Sequence, residues 1–223
     1  MASGKIDLPK KKLLLRQFSI PVGAVTAQSY KRINAYNVNW YSIPSGYYPV
    51  GITRLELGNQ WLSLVYVQPM DVASSNYLLA VRNDHASSAT GSGTTATLAV
   101  IFAPEEMVEL TTDLSAQPTS DILKEPVFKI KQYTSGSTSV AANTTKSFSQ
   151  TDLNMDTPSG YEVFSIRNIS TGQVSFSMSC CDPLSTSLAM AVRNRTSSAA
   201  NANVRLGVTY INSKYKENIT ISG

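Results

Sequence analysis

With 223 residues, 42% of them hydrophobic and only 15% charged, the chain is long enough to bury one large core or two medium ones. The low charge content is typical of β-rich proteins whose turns and exposed faces are polar but uncharged. The net charge is +4, and the sequence has no arginine-rich block of the kind that packages a genome. It also has no run of about 18 apolar residues, so no membrane helix is predicted.

Much of the positive charge lies near the N-terminus, where residues 1–12 are predicted to form a basic arm. The candidate docking residues are Lys5, Lys10, Lys11, Lys12 and Arg16. Such a segment docks on an acidic partner, or it only makes a tail more soluble. It lacks the apolar stretch of a signal peptide, so we expect a soluble chain made in a cytoplasm, with neither membrane nor nucleic acid as its partner.

Internal repeats determine the predicted organisation. The sequence Pro-Ser-Gly-Tyr at residues 44–47 recurs at 158–161, and Ala-Val-Arg-Asn at 80–83 recurs at 191–194. The order and the nearly constant offset of these matches predict a tandem duplication. After the arm we place repeat 1 at 13–104, an acidic linker at 105–126, repeat 2 at 127–213 and a C-terminal tail at 214–223.

Short strands bounded by turn residues are predicted in both repeats. In chain order they cover 50–57, 61–67, 77–81, 95–102, 163–166, 174–178, 188–192 and 204–211. The first two flank Gly58 and Asn59 and predict a hairpin, and the linker is expected to begin with one helical turn after Pro104. The tail is expected to add an edge strand through Ile219 and Ile221. The predicted fold is all-β, with two tandem homologous antiparallel β-sandwich domains of either jelly-roll or immunoglobulin-like topology.

No constellation of residues predicts catalysis. His85 is the only histidine and follows a strand, so it is expected to be a turn residue rather than a base. Cys180 and Cys181 are adjacent, so neither a strain-free disulfide nor a complete zinc site is expected, and the pair is predicted to be buried. No serine lies in a nucleophile-elbow sequence. We therefore expect no enzyme, no catalytic or metal-binding residues and no cofactor.

Aromatic residues are concentrated in repeat 1. Trp40, Tyr41 and Tyr48 have no aromatic counterpart in repeat 2, which makes them the candidate ligand surface for stacking on a sugar or a partner. The alternative is that these rings only pack in the core and in turns. Tyr47 and Tyr161 follow the repeated turn and are expected to anchor it.

The stretch Ile-Pro-Ser-Gly-Tyr-Tyr-Pro-Val-Gly-Ile at 43–52, with a strand ending Val-Arg-Asn at 81–83 and a Thr/Ala-rich closing strand, resembles a small β-domain of tailed-phage structural proteins. That domain often lies at the C-terminus of head-fibre or tail-fibre chains. In repeat 2 the continuation after the Pro-Ser-Gly-Tyr turn is Glu-Val-Phe-Ser at 162–165. The resemblance implies a virion component that forms a homo-oligomer, with a trimer favoured.

The function expected from the sequence is therefore a non-enzymatic phage structural protein, located in the virion and docked through its N-terminal region. It would be a capsid-associated head-fibre or decoration protein, or a tail-associated one, with other virion proteins as partners. Two alternatives remain open. One is a carbohydrate-binding adhesin or receptor-binding module that recognises a host-surface glycan, and the other is a shell-forming capsid protein.

Overall fold

The computed structural model describes residues 12–34, 41–69, 77–87, 94–111 and 125–222. Within these ranges the secondary structure consists of β-strands and two short 3-10 turns, without an α-helix. The predicted all-β class is confirmed.

The strands of the first half are β1 (Leu13–Pro21), β2 (Tyr30–Asn34), β3 (Tyr47–Leu57), β4 (Leu62–Val67), β5 (Tyr77–Asn83) and β6 (Thr95–Pro104). A 3-10 turn (Glu105–Met107) and β7 (Val108–Thr111) follow. The second half contains β8 (Phe128–Thr134), β9 (Thr138–Val140), β10 (Thr145–Phe148), β11 (Tyr161–Ser170), β12 (Phe176–Cys181), β13 (Met190–Asn194), β14 (Ala200–Ala202) and β15 (Arg205–Asn212). A second 3-10 turn (Lys216–Asn218) and β16 (Ile221–Ser222) complete the described chain.

Corresponding strands of the two halves pair in the same order. In the first half β6 lies between β1 and β3, and β5 lies between β2 and β4, all antiparallel. In the second half β15 lies between β8 and β11, and β13 lies between β10 and β12. A short pairing of β11 with β4 joins three strands of the first half to the second half in one seven-stranded sheet.

The predicted hairpin at Gly58 and Asn59 is wrong. The chain reverses there, but β3 pairs with β6 and β4 pairs with β5, so the turn carries the chain from one sheet to another. The NH group of Gly58 donates a hydrogen bond to the carbonyl oxygen of Thr95, at the start of β6, over 2.7 Å. Turn residues predict a reversal of direction, but only long-range pairing decides whether the two strands share a sheet.

Both halves have the same backbone irregularities at matching positions. The pairing of β3 with β6 shifts register at 49/51 and at 52/54, and that of β11 with β15 shifts at 163/165 and 166/168. Positive φ angles occur at Gly46 and Gly160, in the repeated turn, and at Gln28 and Asn143. Each bulge adds one residue to its strand and increases the local twist. The sheets therefore curl in the same places in both halves.

Two buried clusters hold the sheets together. The larger one contains side chains from both sheets of the first half, including Phe18 of β1, Phe102 of β6 and Leu79 of β5. In the smaller one, Leu13 of β1 and Phe128 of β8 lie among side chains from both halves. Burying one such side chain contributes about 2 kcal/mol. The two halves therefore share buried surface rather than standing apart on a linker.

The strand that follows each half pairs with the first strand of the other half. β7 follows the first half and runs parallel to β8, with Val108 opposite Phe128. β16 follows the second half and runs parallel to β1, with Leu13 opposite Ile221. These two parallel pairs depart from the expectation of antiparallel sheets, whereas the edge strand expected in the tail forms at Ile221 but does not include Ile219, which follows the second 3-10 turn. The helical turn expected after Pro104 is present as the 3-10 turn, but linker residues 112–124 lie outside the described ranges.

Candidate functional site

The predicted docking residues lie at the start of β1 or before it. Lys12 and Arg16 are exposed, while Lys5, Lys10 and Lys11 lie outside the described ranges. β1 is held between β6 on one side and β16 on the other. The described chain therefore begins at a strand that pairs with β6 along most of its length and with β16 at Leu13 and Leu14.

The predicted aromatic surface does not form as expected. Tyr41 is only 3% exposed, packs with its ring centroid 4.7 Å from that of Phe18, and donates a hydrogen bond to the Pro69 carbonyl oxygen over 3.0 Å. A ring buried in the core cannot serve as a stacking platform, so this prediction is corrected for Tyr41. Trp40 lies outside the described residues.

Tyr48 is half-buried and contacts the second half of the chain. The Arg167 guanidinium lies over its ring at 4.8 Å, donates to its hydroxyl oxygen, and also donates from Nε to the Pro49 carbonyl oxygen over 3.3 Å. Burial lowers the pKa of Arg167, and the neighbouring Tyr48 and Tyr41 oppose this. Tyr48 therefore belongs to a contact that joins the two halves.

A different group of side chains surrounds a cavity of 300 Å³ where β4 meets β11. We call it the tyrosine–arginine pocket. Its lining includes Arg32, Tyr66, Gln68 and Tyr77 from the first half and Ser170 and Gln173 from the second.

Strand register explains how the first-half wall is assembled. Arg32 of β2, Ala80 of β5 and Tyr66 of β4 stand opposite one another on three adjacent strands. The small side chain of Ala80 leaves room for its two larger neighbours. Within β2, Tyr30 and Arg32 are exposed, whereas Ile33, the residue after Arg32, is buried in the core, as the alternation of a strand requires.

The Arg32 guanidinium lies between two tyrosine rings, with its central carbon 5.4 Å from the ring centroid of Tyr30 and 5.3 Å from that of Tyr77. Both distances suit a cation–π contact. Beneath them, the Tyr66 hydroxyl oxygen is buried and has no hydrogen-bond partner among the described residues. Burial raises the pKa of Tyr66, against the influence of Arg32. Tyr66 is therefore a neutral phenol with an unused donor and acceptor.

The second-half wall is fixed by backbone hydrogen bonds. The Thr171 NH group donates to the Val65 carbonyl oxygen over 3.0 Å, and the Gln173 side-chain amide donates to the Asn201 carbonyl oxygen over 2.6 Å. Gly172, between them, has a φ of +85° and also lines the pocket. The pocket is thus built from both halves and has one rigid wall.

A second, more polar cavity of 480 Å³ lies beside Asp84. The Asp84 carboxylate pairs with Arg82 at 3.0 Å and with Arg195 at 3.2 Å. Its charge is therefore already matched by guanidinium groups of the chain. His85 stands next to this cluster as an exposed residue in the turn, with its ring stacked on Trp61 at 4.3 Å. This placement fits the predicted turn role of His85.

The two cysteines are free and half-buried rather than fully buried as expected. Burial raises the pKa of the Cys181 thiol to about 12, and the neighbouring Cys180 and Asp182 act in the same direction. Because the thiolate is the nucleophile, such a thiol reacts poorly near neutral pH.

We predict that Cys181 in the folded Cys180→Ser variant reacts with a chromogenic disulfide reagent at pH 8 at least about thirtyfold more slowly than in urea. Burial lowers the thiolate population about a thousandfold, and the greater nucleophilicity of a high-pKa thiolate offsets part of that loss. The release of the chromophore gives the rate. The folded Cys181→Ser variant, which retains Cys180, serves as a comparison. Folded and unfolded rates within about tenfold of each other would contradict the assignment of Cys181 as a protonated thiol.

Sequence reasoning missed Tyr30, Arg32 and Tyr77, although the repeat contains a signal for them. In the first half, Tyr30 and Arg32 of β2 lie opposite residues of β5. The residues of β10 that lie opposite the corresponding positions of β13 are Thr145 and Ser147. Tyr30 and Arg32 are thus specific to repeat 1, as Trp40, Tyr41 and Tyr48 are. Comparison of the two repeats does not by itself distinguish exposed rings from buried ones.

Within the described ranges, no three or more His, Cys, Asp or Glu side chains are grouped as a metal site would require. In the same part of the chain, no helix has the length and apolar character needed to cross a membrane. No protein-family model matches the chain, and comparisons with curated proteins and with solved structures find no match.

Proposed function

We propose that the chain is a non-enzymatic structural protein of a tailed-phage particle, built from two tandem homologous antiparallel β-sandwich domains. The resemblance of residues 43–52 to a small phage β-domain suggests the class of protein. The agreement of both halves in strand order, bulge positions and positive-φ residues supports the tandem organisation.

The single observation that carries the duplication is a matched pair of buried asparagines. Asn83 ends β5, and its side-chain amide donates to the carbonyl oxygens of Val25 and Ser87 over 3.2 and 2.8 Å. Asn194 ends β13, and its amide donates to the carbonyl oxygens of Val140 and Ser198 over 3.0 and 2.9 Å. A shared ancestral unit explains why both halves use the same side chain to tie the same two loops.

Attachment is assigned to the basic arm, residues 1–12. The exposed Lys12 and Arg16 continue its positive charge onto β1, which pairs with β6 along most of its length and with β16 at its start. Because the charged arm leads directly into this paired strand, binding of the arm would hold the folded part of the chain on the partner surface. The partner is an acidic surface of another virion protein or of a neighbouring subunit in a homo-oligomer, with a trimer as the favoured state.

Deletion of residues 1–12 is expected to reduce retention on purified particles to less than about a tenth of that of the intact chain, because the arm supplies the electrostatic contacts. Retention is measured by quantitative immunoblotting of gradient-purified particles, and immunogold microscopy places the protein on the head or the tail. The matched charge variants are Lys10, Lys11 and Lys12→Gln against Lys146, Lys214 and Lys216→Gln. Undiminished retention of the deletion variant would remove the arm from the proposal, and absence of the intact chain from particles would refute the virion assignment.

A further inference from the structure

We propose that the tyrosine–arginine pocket binds a saccharide that carries a carboxylate. This inference concerns a different surface from the basic arm and goes beyond the structural role. It rests on three features of the pocket: exposed aromatic faces, an arginine with no acidic partner in the part of the chain that the structure describes, and a hydroxyl with no hydrogen-bond partner there.

Exposed tyrosine rings provide the platform. Tyr30 and Tyr77 are 41% and 38% exposed, and they are the two aromatic members of the exposed large apolar side chains in the described ranges. Both lie against Arg32, so they form one patch. A tyrosine ring offers an apolar face together with a polar edge, which suits the C–H face and the hydroxyl groups of a sugar ring.

The charge on Arg32 selects the class of sugar. Among the described residues no carboxylate pairs with Arg32, and no Asp or Glu lines the pocket. In contrast, Arg54 pairs with Glu56 at 2.7 Å, and Arg82 and Arg195 share Asp84. The two rings hold the planar guanidinium in place, and its parallel N–H groups match the two oxygens of a carboxylate.

Hydrogen-bonding groups complete the pocket. The Tyr66 hydroxyl has no partner among the described residues, and leaving a buried hydroxyl unpaired is unfavourable. Gln68 and Ser170 also line the cavity, whose 300 Å³ lies at the lower end of small-ligand sites and suits one or two sugar units.

The position of the pocket leaves it open in an attached molecule. Arg32, Tyr66 and Tyr77 lie on the strands β2, β4 and β5, and the core of the first half separates this sheet from the sheet that contains β1. Attachment through the arm before β1 would therefore not require the pocket surface. Saccharide binding can be measured on the purified chain, so its outcome does not depend on the virion assignment.

The test uses the purified full chain and a panel of short oligosaccharides that contain glucuronic acid or sialic acid, each with its carboxyl-reduced neutral counterpart. Binding is measured by calorimetry and by ligand-observed NMR. We expect an acidic member to bind and its neutral counterpart to bind at least about tenfold more weakly, because charge-assisted hydrogen bonds contribute that much. Arg32→Gln is expected to weaken binding about tenfold, and Tyr77→Ala several-fold.

Arg54→Gln is the matched control, since it removes an exposed arginine on β3 and is expected to leave affinity unchanged. Thermal unfolding of each variant verifies that the fold is retained. Absence of binding across the acidic panel, equal affinity for the neutral counterparts, or unchanged affinity in both Arg32→Gln and Tyr77→Ala would overturn the proposal. Competition by inorganic phosphate at an equal concentration would also overturn it, because it would reveal a general anion site.

Discussion

Replacement of Asn194 by alanine is expected to lower the free energy of unfolding by about 3 kcal/mol, because it removes several buried hydrogen bonds at once. Asn194 is fully buried. Besides donating to Val140 and Ser198, its side-chain oxygen accepts hydrogen bonds from the backbone NH and the hydroxyl of Thr196, over 2.9 and 2.8 Å. Alanine leaves these groups without this partner, and the carbonyl oxygen of Val140 among them lies in the buried part of the site. Equilibrium denaturation in urea measures the loss.

Asn83→Ala provides the matched variant for this experiment. Its side chain makes the two equivalent donations and accepts the NH group of His85 over 2.9 Å, so a loss within about 1 kcal/mol of the Asn194 value is expected. Asn201→Ala, at an exposed position, should change stability by less than about 0.5 kcal/mol. A small effect at Asn194, comparable with that at Asn201, would contradict the role assigned to the buried amides.

Gly172→Ala is expected to destabilise the chain by about 3 kcal/mol or more, for two additive reasons. A φ of +85° is strained for any residue with a Cβ, and a Cβ at this position would lie 2.3 Å from the carbonyl oxygen of Asn203. The contact is with backbone, so no side-chain rotation relieves it. Chemical denaturation again provides the measurement.

Gly160→Ala separates the two causes. Gly160 has a similar φ of +79°, but a Cβ there would meet nothing within 4 Å. Its substitution is expected to cost only the conformational strain, about 1 kcal/mol. Equal losses in the two variants would mean that the close approach of Asn203 contributes nothing.

The sequence predicts nine of the sixteen strands of the described chain, the tail strand included, but not all of their partners. Alternation of apolar and polar residues indicates several of these nine, because each one buries a single face, whereas β1, β2, β7, β8, β9, β10 and β14 are not predicted. The pairing of β3 with β6 rather than β4, and the parallel pairs β1–β16 and β7–β8, join residues far apart in the chain. Local composition does not indicate such long-range contacts. The hairpin prediction therefore failed at Gly58 and Asn59, where the chain crosses from one sheet to another.

The candidate site was predicted by type but not by position. Comparison of the two repeats indicated unmatched aromatic residues, and such residues do occur at the pocket, where Tyr77 belongs to the lining and Tyr30 lies beside it against Arg32. It also indicated Tyr41, which lies in the core, and Tyr48, which contacts Arg167. The same ring is a core residue or a platform depending on which face of its strand packs inward. Arg32 was missed because its role depends on two ring contacts, one with Tyr30 of its own strand and one with Tyr77 of β5, which only the fold brings close to it.

β7 pairs with β8 and β16 pairs with β1, so each of them joins the first strand of the other half. This arrangement has a consequence for how the chain folds while the ribosome synthesises it. β1 leaves the exit tunnel early, but the strand that covers its outer edge consists of Ile221 and Ser222. Until those residues are synthesised, Leu13 and Leu14 have no partner strand on that edge, and an unpaired strand edge is the usual starting point for intermolecular association. Slow translation of the second half would lengthen this vulnerable interval, and chaperones that shield nascent strands would be needed most at that stage.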